Sequence, residues 1–169
     1  MAAIYIALGS NMGDRKRHLQ LACEALIDFL GSLKKASAIY QTAAWGNTEQ
    51  QDFYNQVLCF ESDLEAQEIM DECLMIEERL GRTRHTHWGP RTIDIDLLLY
   101  GDLILNKQRL KIPHPELTNR RFVLAPLAEI AGDVWHPVAQ KDIASLLEAC
   151  KDELPVDVLL EQPFQKMKE

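Results

Sequence analysis

Apolar residues recur along this chain at two periods, and the switches between them mark its elements. Ile4 to Leu8 is a short apolar run ended by Gly9-Ser10-Asn11, which predicts a buried strand and a turn. Leu19, Cys23, Leu26, Ile27 and Leu30 then recur at three- and four-residue steps, predicting a helix with Asp14 as N-cap and Gly31 as its stop. Strands are expected over 35–42 and 55–60, separated by an irregular stretch, 43–54, whose length points to function. Ile69, Cys73, Ile76 and Leu80 predict a second helix, capped by Ser62 or Asp63 and ended by Gly81. After a second irregular stretch, 82–92, Ile93 to Tyr100 begins in strict alternation and ends as a continuous apolar run, as a partly buried strand does. A hairpin is expected over 103–112, helices over 122–130 and 143–149, and a weakly patterned tail after Pro155, partly disordered.

The order strand-helix-strand-strand-helix-strand predicts an α+β, ferredoxin-like (split βαβ) plait with a C-terminal hairpin and helices added, as one domain over 1–169. The length of 169 residues suits that reading. The N-terminal residues lack a signal-peptide pattern and no apolar run is long enough to span a membrane, so a cytoplasmic protein is expected. Cys23, Cys59, Cys73 and Cys150 form no C-x-x-C pair and read as free, buried thiols. The five histidines show no zinc-ligand spacing. A net charge of −8 argues against a nucleic-acid surface. That total is uneven, however. Residues 79–93 and 106–121 hold nine Lys and Arg against one acid, a local charge of +8, and the rest of the chain carries −16. A positive pocket for a small polyanion is the expectation.

The strongest chemical signal is Asp94 and Asp96. Residues two apart on a strand share a face, so both carboxylates point together while Ile93, Ile95 and Leu97 take the other side. Adjacent carboxylates repel and lose hydration unless a cation compensates, and magnesium, held by one or two carboxylates plus phosphate oxygens, fits best. Taken alone, D-x-D could equally be a solvated strand end. Its approach changes the balance: residues 81–92 contain Arg82, Arg84 and Arg91, two histidines, glycine and proline, and no acid. Arginine forks match phosphate oxygens, and such a segment can close over a nucleotide as a lid. Neither G-x-x-x-x-G-K-[ST] nor G-x-G-x-x-G occurs, so side-chain cations and metal would hold the nucleotide.

Arg82-x-Arg84, Trp88-Gly89-Pro90-Arg91-Thr92-Ile93-Asp94-Ile95-Asp96, Ile112-Pro113-His114-Pro115 and Asn119-Arg120-x-Phe122, preceded by Ala7-Leu8-Gly9-Ser10-Asn11, resemble the 6-hydroxymethyl-7,8-dihydropterin pyrophosphokinase family from about residue 4 to residue 131. His87 stands where that family often has arginine, and Ala43-Ala44 where a proline often follows the threonine. The resemblance implies transfer of the terminal diphosphate of ATP to the hydroxymethyl group of the reduced pterin, with AMP released, in folate biosynthesis. It also implies two Mg2+ ions on Asp94 and Asp96. Arg82 and Arg91 would act on the reacting phosphates with Arg84 as helper. ATP would be met by Glu77, Trp88, Leu97, Arg109, His114 and Arg120. The pterin would be met by Thr42, Trp45, Phe53, Asn55, Trp88 and Phe122. A flat ring between Phe53 and Phe122, its amide edge on Asn55, is chemically reasonable. The expected partners are these two small molecules, with no nucleic acid, no membrane and a monomeric chain. The alternative from another class is a non-catalytic nucleotide- or pterin-binding regulator on the same fold.

Overall fold

The computed structural model describes residues 1–43, 50–81 and 92–160. The elements run β1 (Ala2–Ser10), α1 (Arg15–Leu30), β2 (Lys35–Ala36), β3 (Ile39–Thr42), β4 (Phe53–Ser62), α2 (Ala66–Arg79), β5 (Asp94–Tyr100), β6 (Leu105–Lys107), β7 (Leu110–Ile112), α3 (Arg121–Ala131), β8 (Trp135–His136), β9 (Lys141–Asp142), α4 (Ile143–Glu148) and β10 (Val156–Leu160). A short 3-10 turn over Leu117–Asn119 leads into α3. The main sheet is antiparallel in the order β10-β3-β4-β1-β5, with β2 also on β4. The path β3-β4-β1-β5 is the strand order of a ferredoxin-like plait, as the element order predicts.

Alternation along the strands builds two cores. Ile4, Ile6, Leu8, Leu58, Phe60, Ile95 and Leu97 project from one face and pack under α1 and α2 through Leu19, Leu26, Ile69 and Ile76. Tyr5, Val57, Cys59, Leu98 and Leu99 project from the other, covered by Leu117, Leu124 and Leu127 and by Ile143 and Leu146 of α4. Truncating a wholly buried member such as Leu58 to alanine should cost about 2–5 kcal/mol. Both ends of α1 are as expected: Asp14 Oδ1 accepts from the Arg17 N–H at 3.1 Å, and Gly31 closes the helix at φ +91°, where a side chain would be strained.

Three expectations need correcting, and a fourth is met in part. The strand over 35–42 is two strands, because Ser37 turns its backbone and side chain to Val57: its N–H donates to the Val57 carbonyl and its Oγ accepts from the Val57 N–H. The N-cap of α2 is Glu65, without a side-chain cap, since Ser62 Oγ is spent on the Leu64 N–H in the preceding turn. Of the tail after Pro155, Val156–Leu160 forms β10 on the edge that β3 offers, and residues 161–169 lie outside the described residues. Finally, Cys150 is partly exposed, whereas Cys23, Cys59 and Cys73 are buried free thiols.

Candidate active site

The second core does not extend to the end of its face, and the polar residues of interest collect there. Asp94 and Asp96 alternate with buried Ile95 and Leu97 and are both half-buried, with the Asp96 side chain 49% exposed. Their neighbours across the ladder are small: Gly9 opposite Asp94 and Ala7 opposite Asp96. On its other side Gly9 lies opposite Asn55. A Cβ at Gly9 would sit 3.1 Å from Asn55 Oδ1, 3.7 Å from Phe53 Cδ1 and 4.0 Å from Asp94 Cβ, so these three side chains converge over a position without one.

Asn55 is buried, and its Nδ2 donates to Thr42 Oγ1 at 2.9 Å. Thr42 lies directly opposite Phe53 across the β3–β4 ladder, which puts hydroxyl, amide and aromatic ring in one corner. Phe122, on the first turn of α3, packs on the same side of the sheet. The Arg120 guanidinium stands 5.8 Å from the centroid of the Phe122 ring, within cation–π range. His114 is placed by its own N–H, which donates to the Leu98 carbonyl of β5 at 3.0 Å. Its Nδ1 accepts from the Glu116 N–H at 3.2 Å, and its Nε2 comes to 4.0 Å from Asp96 Oδ1. Burial, then the Arg120 cation, hold its pKa below the ordinary histidine value. The ring is therefore neutral at pH 7, and with Nδ1 an acceptor its proton is on Nε2, facing the carboxylate side.

Thus the structure brings Thr42, Phe53, Asn55, Asp94, Asp96, His114, Arg120 and Phe122 to one face. It puts Glu77 and Leu97 on the other. Leu97 is a buried core residue under the helices, and Glu77, 2% exposed, accepts from the Ile95 N–H at 2.8 Å. Arg109 is exposed in the turn between β6 and β7. Trp45, Arg82, Arg84, Trp88 and Arg91 lie outside the described residues.

The donor set suits a hard cation: two half-buried carboxylates side by side at the rim, with oxygen atoms alone and no thiol among them. Among the described residues no group of three or more His, Cys, Asp and Glu is arranged to hold a metal. No helix among those residues is long and apolar enough to cross a membrane.

Sequence reasoning missed a set of supporting contacts. Tyr40 O–H donates to Glu129 Oε1 at 2.6 Å, tying β3 to α3. Arg15 stacks 3.9 Å over the Tyr54 ring and donates to the Asp52 carbonyl at 2.8 Å, fixing the entry to β4. These partners are 89 and 37 residues apart in the chain, and no local pattern links them.

Residues 5–132 match the family described as 7,8-dihydro-6-hydroxymethylpterin-pyrophosphokinase (HPPK). The chain is 42% identical over 143 residues to the 2-amino-4-hydroxy-6-hydroxymethyldihydropteridine pyrophosphokinase of Aquifex aeolicus, covering 85% of this chain and 89% of that one. It is 42% identical over 131 residues to the enzyme of that name in Bacillus subtilis, covering 77% and 78%. Its fold is similar to a Plasmodium falciparum HPPK-DHPS structure with pteroate, at a TM-score of 0.68 and 16% identity, covering 88% of this chain but only 42% of that longer one. With most of its length inside the match, the chain belongs to the 7,8-dihydro-6-hydroxymethylpterin-pyrophosphokinase family.

Proposed function

We propose that this chain transfers the terminal diphosphate of ATP to the hydroxymethyl group of 6-hydroxymethyl-7,8-dihydropterin, releasing AMP, in folate biosynthesis. The observation that carries the reading is the convergence of the Asn55–Thr42 pair and the Asp94–Asp96 pair on either side of Gly9. One half of that corner suits the amide edge of a flat heterocycle, and the other suits a metal-bound polyphosphate. The regulator alternative draws no support from a site that retains both halves.

In this mechanism Phe53 and Phe122 hold the ring by its faces, and Asn55 and Thr42 fix its edge and so the direction of its hydroxymethyl arm. Asp94 and Asp96 would hold two magnesium ions. Bound magnesium would offset the triphosphate's charge and polarise its oxygens. Arg120 supplies a fixed cation beside the ring, and the Nε2–H of neutral His114 is a donor on the phosphate side. Arg82 and Arg91, with Arg84, are assigned to the reacting phosphates on sequence grounds, as are Trp88 and Trp45 to the substrates. Arg109 is assigned to ATP, and Glu77 and Leu97 to positions near its adenine. No residue is assigned as general base, since positioning and charge stabilisation can supply most of the acceleration. The reading includes one domain over 1–169, acting as a monomer in the cytoplasm.

A coupled assay for AMP from ATP and the hydroxymethyl dihydropterin tests it. AMP formed only with magnesium is the expected result; ADP, or no turnover, would sink the reading. Arg82→Ala or Arg91→Ala should lower kcat on the order of 10³-fold with little change in pterin affinity.

A further inference from the structure

Two pterin-side elements, β3 with Thr42 and the first turn of α3 with Phe122, come from distant parts of the chain, and a third segment is bonded to both. Arg121, between Arg120 and Phe122, grips residues 150–152. Its N–H donates to Asp152 Oδ2 at 3.1 Å, its Nε to the Asp152 carbonyl at 2.8 Å and its Nη2 to the Cys150 carbonyl at 3.1 Å. Asp152 Oδ1 accepts from the Leu154 N–H at 3.0 Å, which steers the chain onward. Four residues later β10 begins, and Val156 pairs opposite Thr42, Asp157 opposite Gln41 and Val158 opposite Tyr40. Residues 150–158, the C-terminal partners in these contacts, lie beyond residue 132 and so outside the family match, whereas Arg121 and β3 lie within it.

Without β10, four-residue β3 would be an edge strand, held on one side by β4 alone, and short edge strands open at low free-energy cost. Thr42 is its last residue and the one nearest the pterin corner, so it would fray first. At the other end of the segment, a guanidinium fork across two carbonyls fixes the start of α3 in both position and rotation, as a single-point contact would not. We infer that Arg121 and β10 together act as positioning elements for pterin recognition, a strap that sets the spacing between Thr42 and Phe122. Arg121 is a positioning residue, acting through Phe122 and Thr42. The inference rests on the proposed pterin activity.

β10 forms the edge of the sheet opposite β5, the strand that carries Asp94 and Asp96, so loosening it should separate the two substrates. The test uses the full chain with Asp157→Pro and Val158→Pro together, since one N–H of any two adjacent strand residues is directed to the neighbouring strand. Arg121→Ala and Arg121→Lys are measured beside it. Expected are a rise in pterin KM of roughly tenfold in the proline pair and in Arg121→Ala, with ATP KM altered less than about twofold, and partial recovery in Arg121→Lys. Amide exchange over residues 39–42 should quicken in the proline pair. If pterin KM holds steady while those amides exchange faster, or if both KM values rise in step with lost thermal stability, the strap has no such role. Should the proline pair fail to fold, Arg121→Ala decides by the same two criteria. Absence of AMP formation by the unaltered chain would instead overturn the proposed function.

Discussion

Glu77 holds the amide of Ile95, the residue between the two site aspartates: Oε2 accepts that N–H at 2.8 Å from a side chain that is 2% exposed. A helix residue thus fixes the strand from beneath, on the face opposite Asp94 and Asp96. Removing the acceptor leaves a buried donor unsatisfied, which costs about 1–3 kcal/mol. Glu77→Ala should therefore lower the urea midpoint by the equivalent of that loss and reduce kcat, whereas Glu77→Gln, which keeps an acceptor oxygen, should recover most of the stability. Equal midpoints for alanine and wild type would contradict the role.

Adding one methyl at Gly9 tests the convergence over the site. The new Cβ would lie 3.1 Å from Asn55 Oδ1, closer than ordinary contact, so the Asn55 amide must move. Gly9→Ala is expected to raise pterin KM roughly tenfold, since small displacements of a positioning group are expensive in affinity. ATP KM should stay near the wild-type value. A larger effect on ATP than on pterin would place the crowding on the wrong half of the site.

His136 makes stability depend on pH. It is buried, its Nδ1 accepts from the Val138 and Ala139 N–H groups at 3.2 and 2.9 Å, and burial lowers its pKa below the ordinary value. Protonation would turn that acceptor into a donor facing two donors. Below the ordinary histidine pKa the unfolded chain binds the proton first, so stability is complete above that value and is lost as pH falls beneath it. Thermal melting should show Tm declining from pH 7.5 to pH 5.5. His136→Asn, which keeps an acceptor but does not titrate, should flatten part of that slope; His114, shifted in the same direction, supplies another part. An unchanged slope in the variant would assign the effect elsewhere.

Thiol chemistry gives a fourth check. Burial pushes the thiols of Cys23 and Cys73 up to about 12 and raises that of Cys59. A thiol-disulfide reagent at pH 8 should react rapidly with Cys150 alone in the native chain, and with all four cysteines after denaturation. Rapid modification of a second native thiol would show that one of the two cores opens readily.

Elements with a local period are legible in the amino-acid sequence by itself. The three- and four-residue spacing of Leu19, Cys23 and Leu26 marks α1, and the alternation through Ile93, Ile95 and Leu97 both marks β5 and shows that Asp94 and Asp96 share a face. What escapes such a reading depends on partners far along the chain. Residues 156–160 form a strand because β3 presents an edge, and the two-residue strands β8 and β9 are too short to carry a period. In the site, the carboxylate pair can be read from one strand, but the approach of Asn55 to Gly9 needs the register of β1 on β4. The bond from the Ile95 N–H to Glu77 is of the same kind, joining residues 18 apart that no local pattern links.

Gly9 also makes the sheet a ruler. Asn55 and Asp94 are its direct partners on either side, so their backbones are separated by two strand spacings, about 10 Å, and the ladder hydrogen bonds hold that span. A ring seated on Asn55 can present its hydroxyl to phosphate held at Asp94 only if its arm bridges what remains of that distance. Acceptors would then be sorted by the reach of the arm, without any side chain having to recognise the arm itself.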